Sequence, residues 1–351
     1  MDEIEHEGYT VRMADRNDRS GFIELHHLVF GSWNDSIADD VFGWKYINNP
    51  YIDELPIVVV TKDGEVVGAT GYTAFEMYVD GSERLGLQSG DLMVHPDHRR
   101  TGLFSKMNEL TIEHYNDRQV LFFSFPARDP REGYVNFGWE RVRNPQFVQF
   151  SGVRGDPIGW PPDPKNLAKA AYYRLFDIYL TGIRTIQPEG DQFRIEKRVR
   201  VPIRELVDLY ERRKPTGVHA LRSSEFYQWR LASPLYDTTT YLAKANDESV
   251  AAVVVDENEQ RTVLREILPY TGGNEALRSI LSQVTTDYPN RELVVWPHES
   301  HKLEFYRSGY VPKGITPRLR DAPDLVVKDT AEGSDVVEPR NWMVQLSERD
   351  Y

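Results

Sequence analysis

Apolar and polar residues alternate along Tyr9-Thr10-Val11-Arg12-Met13-Ala14, the pattern of a strand with one buried face. Helical spacing follows over 21–30 and again over 37–47, ending before Pro50. Ile57-Val58-Val59-Val60 is a short apolar run suited to a buried strand. Asp63-Gly64 predicts a tight hairpin leading into 66–72. Strand character returns over 85–94. A helix is predicted over 103–115, with Leu103, Met107, Leu110 and Ile112 on or near one face. Val120-Leu121-Phe122-Phe123-Ser124-Phe125 reads as a further buried strand, 131–137 as a short helix, and 139–150 as one more strand. A meander of strands interrupted by one strand–helix–strand passage predicts an α/β (α+β) fold, its mixed, mostly antiparallel sheet flanked by helices. Such a sheet can splay at its parallel pair, and ligands bind at openings of that kind.

The pattern then recurs. Gly155-Asp156-Pro157 through Pro161-Pro162-Asp163-Pro164 is a Pro/Gly-rich connection followed by a helical stretch, so 153–200 reads as a linker with its own helix. Beyond it, Phe42-Gly43-Trp44-Lys45 up to Pro50 is echoed by Phe226-Tyr227-Gln228-Trp229-Arg230 up to Pro234. Each is followed by two strands around a polar turn, Asp63-Gly64 in one copy and Asn246-Asp247-Glu248 in the other. Tyr134-Val135-Asn136-Phe137-Gly138-Trp139 has its echo in Phe305-Tyr306-Arg307-Ser308-Gly309-Tyr310. Anchors in the same order point to two copies of one fold in tandem. The expected division is 1–152, a linker over 153–200, a second copy over 201–314 and a tail over 315–351.

Composition narrows the function. The 351 residues carry 55 Asp and Glu against 42 Lys and Arg, a net charge of −13, with no long basic run. That argues against nucleic-acid binding. It suits either the acidic proteome of a high-salt cell or an ordinary acidic cytosolic protein. With no cysteine, disulfides, thiolate metal sites and a cysteine nucleophile are excluded. The acidic Met1-Asp2-Glu3-Ile4-Glu5 start lacks a signal-peptide core, and the most apolar helical stretch, near 170–182, is broken by Arg174 and Asp177. A cytoplasmic protein with no membrane partner is expected; association into homo-oligomers is left open.

The most informative stretch runs Val94-His95-Pro96-Asp97-His98-Arg99-Arg100-Thr101-Gly102-Leu103-Phe104, at the junction of a predicted strand and a predicted helix. Arginines are unfavourable at a helix N-terminus, which is already positive, unless an anion sits nearby. A glycine that permits close approach, free N–H groups and flanking cations together make a cradle for a phosphorylated cofactor. The second copy reads Leu268-Pro269-Tyr270-Thr271-Gly272-Gly273-Asn274-Glu275-Ala276 at this point. Glu275 would oppose a phosphate, so the second copy is expected to be a partner lobe without cofactor. Elsewhere, His298-Glu299-Ser300-His301 lacks zinc-protease spacing and reads as a solvated turn, no metal site is expected, and His26-His27 reads as a surface or interface pair.

Together these residues resemble the GNAT superfamily of N-acetyltransferases. Its pyrophosphate loop, Arg/Gln-x-x-Gly-x-Gly/Ala at the start of a helix after a strand, is matched by Arg99 and Gly102. Arg100 and Phe104 depart from it, standing where small residues are frequent. Val94-x-Pro96 and Tyr134-x-x-x-Gly138-Trp139 fall where the family has them. The signatures Trp44 to Asn49-Pro50 and Phe125-Pro126 are similar to a two-lobed branch that includes the enhanced-intracellular-survival type acetyltransferases. The tail here is too short for that branch's third, sterol-carrier-like domain.

The resemblance implies acetyl transfer from acetyl-CoA to a primary amine of a small molecule, an amino sugar or aminoglycoside-like compound among the candidates, through a ternary complex. Arg99, Arg100, Thr101, Gly102, Leu103 and Phe104 would hold the pyrophosphate, and Leu92, Met93 and Val94 would pair with the pantetheine arm. Tyr134 stands at the family's general-acid position. The base stays open between Asp91, Glu76 and the C-terminal carboxylate of Tyr351. Two other readings are an aminoacyl transferase of the two-lobed type and a non-catalytic acyl-CoA-binding regulator.

Overall fold

The computed structural model describes residues 3–31, 33, 36–126, 128–142, 150–153, 192–259, 262–288, 291–312, 325–331, 335–338 and 341–349. The first lobe opens with a hairpin, β1 (Glu3–His6) and β2 (Tyr9–Met13), followed by α1 (Arg19–Phe30) and α2 (Ala38–Phe42). One turn of π-helix, Gly43–Ile47, continues α2. The meander β3 (Ile57–Lys62), β4 (Glu65–Val79) and β5 (Ser82–Val94) leads to α3 (Leu103–His114), β6 (Leu121–Ser124), α4 (Arg128–Asn136) and β7 (Glu140–Val142). Then come β8 (Phe150–Val153) and β9 (Arg194–Arg198). The second lobe runs α5 (Ile203–Glu211), β10 (His219–Ala220), α6 (Ser224–Arg230), β11 (Asp237–Ala245), β12 (Glu248–Glu257), β13 (Thr262–Leu268), α7 (Asn274–Asp287), β14 (Glu292–Val295), α8 (Lys302–Arg307) and β15 (Val311–Pro312). Last comes β16 (Leu325–Asp329), and the described segments 335–338 and 341–349, together called the strap, follow it.

Both lobes have the same plan. Each has a parallel pair set among antiparallel strands, β5 with β6 and β13 with β14. The hairpin turns match: Asp63 and Gly64 take φ of 51° and 87°, Asn246 and Asp247 of 51° and 65°. Positive φ at both central positions suits the right-handed twist of the strands, hence Asp, Asn and Gly there. The expected single strand over 139–150 is instead two short strands in different sheets. β7 pairs with β16, whereas β8 lies between β14 and β15. Each lobe thus sends a strand into the other's sheet: β8 joins the second, and β16 fills the first between β6 and β7. The boundaries expected at 152 and 315 follow the chain, while the sheets interlock across them. The linker helix expected within 153–200 lies outside the described residues.

The exchange buries one core between the sheets. Phe22, Val41, Leu206 and Phe226 of the inner helices pack against Val59, Phe75 and Met77 of one sheet and Leu242 and Val254 of the other, with Trp296 just past β14. The repeat anchors sit at its centre. Trp44 and Trp229 stack at 5.7 Å, and the indole N–H of each donates to the carbonyl of the other, at 2.7 and 2.9 Å. This reciprocity is what a two-fold relation between copies requires, and it satisfies both buried donors. On the outer faces, α3 covers the first sheet with Leu103, Met107 and Leu110, and α7 covers the second with Leu277, Ile280, Leu281 and Val284. Among the described residues no helix is long and apolar enough to cross a membrane.

Candidate active site

The pairing of β5 with β6 runs from Gly86 to Gln88 and stops. β5 continues to Val94, so its last turn of strand has no strand neighbour on that side among the described residues. At the fork, the Ser124 hydroxyl donates to the Ser89 carbonyl at 2.9 Å, and Ser89 Oγ lies 2.6 Å from the Tyr134 hydroxyl. α4 thereby delivers Tyr134 to the place where the sheet opens. The ring is buried against Phe104 and Trp139, at 5.2 and 4.7 Å. Burial, reinforced by Tyr72, pushes the Tyr134 phenol well above its ordinary range, so it carries its proton throughout the physiological range.

A bulge follows at once. Ala69 pairs with Met93 and Gly71 with Gly90, so Asp91 and Leu92 together oppose Thr70. Asp91 takes φ of +39°, a conformation in which Asp is enriched among non-glycine residues. In a regular strand, 89 and 91 would share a face. Here the bulge turns Asp91 to the opposite side from Ser89 and Tyr134, towards α1 and the π-turn. Lys45 Nζ and the Tyr46 hydroxyl both donate to Asp91 Oδ2 at 2.5 Å, and His26 Nε2 lies 3.6 Å from Oδ1. The π-turn lets these consecutive residues reach one carboxylate, and Gly71 leaves the space that the Tyr46 hydroxyl occupies. Burial alone would raise the Asp91 carboxyl, but Lys45 and His26 outweigh it and hold the group well below the usual carboxylate range. Such a carboxylate is a weak base.

The loop expected to cradle phosphate crosses the open end of the split. Gly102 caps α3 with φ of +78°, and the first turn of α3 has no acidic residue and no side-chain cap. Its first N–H groups are thus left for another acceptor. Arg99 and Arg100 are exposed, with Arg100 at φ +67° and Arg99 Nε donating to the Val94 carbonyl at 3.2 Å. His6 Nε2 meets the Thr101 carbonyl at 2.9 Å, and the Thr101 hydroxyl donates to the His98 carbonyl at 2.6 Å, so β1 braces the loop. Leu103 and Met93 are buried in the core, while Leu92 and Val94 pack beneath α3. Phe104 turns away from the loop and lies on α4, where Gly133 leaves room for its ring. Its bulk departs from the family pattern without crowding the cradle.

The remaining sequence candidates divide. Glu76, on β4, pairs with Leu85 of β5, four residues before Ser89 and so about 13 Å from the fork. Tyr351 lies outside the described residues. His26 is buried, not at the surface, stacked on Trp33 at 3.7 Å, whereas His27 is exposed. His301 is likewise buried and tied to Asn274 and the Pro269 carbonyl, which makes it a brace of α7 instead of part of a solvated turn. Sequence reasoning missed Lys45, Tyr46 and Ser89. The break Ser89-Gly90-Asp91 in an apolar strand was the signal available for the bulge.

Residues 10–142 match the family model described as Acetyltransferase (GNAT) domain. No curated protein sequence matches the chain. Among solved structures, a conserved protein from Enterococcus faecalis described as a probable N-acyltransferase is similar with a TM-score of 0.65 and 10% identity, covering 92% of this chain and 73% of that one. A GCN5-related N-acetyltransferase from Anabaena variabilis reaches 0.60 at 12% identity, covering 92% and 73%. Eis1 from Mycobacterium abscessus reaches 0.53 at 12% identity, covering 91% and 73%. At these identities the structural likeness speaks of fold, and it spans both lobes. The family match thus falls on the first lobe, and the likeness to solved acyltransferase structures extends the shared fold over both lobes.

Proposed function

We propose that the first lobe transfers an acetyl group from acetyl-CoA to a primary amine of a small molecule, with direct attack by the amine. The observation that carries this reading is the fork itself: among the described residues, β5 runs on past its last pair with β6, α3 starts without a side-chain cap, and the Tyr134 hydroxyl is held at Ser89, where that pairing ends. The residues fit the cofactor. The α3 N-terminus behind Gly102 would accept its pyrophosphate, with Arg99 and Arg100 adding charge. The backbone of 92–94 would pair with its amide-bearing arm as an added strand would. Bound there, acetyl-CoA supplies an activated thioester.

Tyr134 then has one task, to give its proton to the departing sulfur. The phenol, fixed by Ser89 at the fork, holds a proton that can pass to the sulfur as the C–S bond breaks, and the proton the amine gives up on forming the C–N bond restores the phenol. Asp91 fits poorly as the base, because Lys45 and Tyr46 hold it ionised and occupied. Titration of acetyl-CoA by calorimetry, followed by thiol release with a panel of amines that includes amino sugars and aminoglycosides, tests the proposal. Binding with turnover on at least one amine is expected. Absence of acetyl-CoA binding sinks it, and binding without turnover on any amine favours a regulator.

A further inference from the structure

We propose that Lys45, Tyr46 and His26 are positioning residues for the transfer, acting through Asp91 to hold β5 in the turn that presents its open edge. The proposal rests on the acetyl-CoA reading above and adds the residues that set its geometry.

The argument starts from how much the chain commits to one conformation. Asp91 stands in the left-handed region, which Asp tolerates better than most residues with a Cβ but which still costs energy that its partners offset. Lys45 is almost without exposure, so its ammonium needs the charged partner that Asp91 supplies at 2.5 Å. A π-turn and a cleared space at Gly71 bring the Tyr46 hydroxyl to the same oxygen. His26, fixed by stacking on Trp33, faces the second oxygen. Among the described residues, the charged or titratable groups that these contacts place against His26 and Asp91 are Lys45 and Tyr46 from the π-turn.

This cluster decides two things at the fork. It ends the phase of β5 in which Ser89 faces Tyr134, and it sets the direction of the backbone over 92–94. A one-residue change of phase would turn those residues to the other face. The cluster lies across the sheet from Tyr134, so it can govern the seating of the cofactor arm without touching the acid.

A glycine at 91 separates conformation from chemistry, since glycine adopts positive φ without a partner while alanine does not. Three full-length variants should be compared with the wild type: Lys45→Met with Asp91→Gly, Lys45→Met with Asp91→Ala, and Tyr46→Phe alone. The readouts are melting temperature, the dissociation constant for CoA, and kcat and KM on any amine found to react. The glycine double variant should bind CoA within threefold of the wild type and keep most of kcat. The alanine double variant should bind at least tenfold more weakly and lose at least tenfold in kcat at a similar melting temperature. Tyr46→Phe should fall between them. Equal behaviour of the glycine and alanine variants, or failure of the glycine variant to fold, means that the carboxylate is needed for itself and overturns the proposal. CoA affinity reads the outcome without any amine, whereas a wild type that binds no CoA refutes the acetyl-CoA reading instead.

Discussion

The two lobes share a plan but differ in what fills the opening of the sheet. In the first, β5 runs past its last pair with β6 and leaves an edge over 89–94. In the second, β13 runs past its last pair with β14 at Leu264, and the strap lies against that edge. Gln345 accepts from the Ile267 N–H at 2.6 Å and donates to the Ile267 carbonyl at 2.9 Å, so one side chain mimics a strand partner. The Ser347 hydroxyl donates to the Arg265 carbonyl at 2.9 Å. Behind it, fully buried Arg222 binds both Glu266 and Glu348, and burial together with Glu348 pushes the Glu266 carboxyl up. Arg230, which follows Trp229 as Lys45 follows Trp44, donates to the carbonyls of Ser347 and Arg349, both at 2.7 Å. Equivalent cations thus meet the bulge at Asp91 in one lobe and the chain's own strap in the other.

The framework survived this divergence. Gly273 caps α7 in the left-handed conformation, as Gly102 caps α3. The Tyr310 N–H bonds the Phe305 carbonyl as the Trp139 N–H bonds that of Tyr134. The side chains at the equivalent places differ: Phe305 stands where the first lobe has Tyr134, Glu275 stands in the first turn of α7, and Arg213 donates to the Thr271 carbonyl across the glycines. Turns and caps are kept because the fold needs them, while reactivity rests on a few replaceable side chains.

The comparison can be broken most sharply at the glycines. Gly102→Glu should raise the dissociation constant for acetyl-CoA by at least about 100-fold, since it sets a carboxylate at the helix N-terminus and strains the cap. Gly273→Ala should cost about 1 kcal/mol in thermal unfolding yet leave that constant unchanged. At the acid position, Tyr134→Phe should lower turnover about 100-fold with binding kept. Phe305→Tyr should add no activity. In the plug, Glu348→Ala should destabilise the chain by about 3 kcal/mol in denaturant unfolding, because it strips partners from buried Arg222 and from the Ala220 and Gln345 N–H groups.

The smallest effect concerns the seam between lobes, where β10 pairs with β4. Burial pushes His219, on β10, down to about 3. A folded-state value below the unfolded one stabilises the protein above about pH 6.5, and that contribution is lost as pH falls towards the folded value. The stability advantage of wild type over His219→Gln should therefore shrink below pH 6.5, by at most about 1.4 kcal/mol per pH unit. An advantage constant from pH 7.5 to 5 would contradict it.

Much of this fold is legible in the sequence, because local patterns specify local structure. The strand and helix periods place β3 to β6 and α3, and the tryptophan motifs announce the repeat. The exchanged strands escape it: β16 is five residues long, and nothing within it tells which sheet it joins. The loop from Arg99 to Gly102 stands out in the sequence by its arginines at a helix N-terminus. The cluster at Asp91 is not, because Lys45 and His26 look like surface residues until the π-turn and the helix contacts bury them. A role that depends on which face a side chain takes after a bulge is a tertiary property.

The claim that only the first lobe retains a cofactor site is tested most directly by the stoichiometry of CoA binding to the full chain in calorimetry. The account predicts one molecule per chain, and none for Gly102→Glu. Two molecules per chain, or one that survives Gly102→Glu, would contradict it.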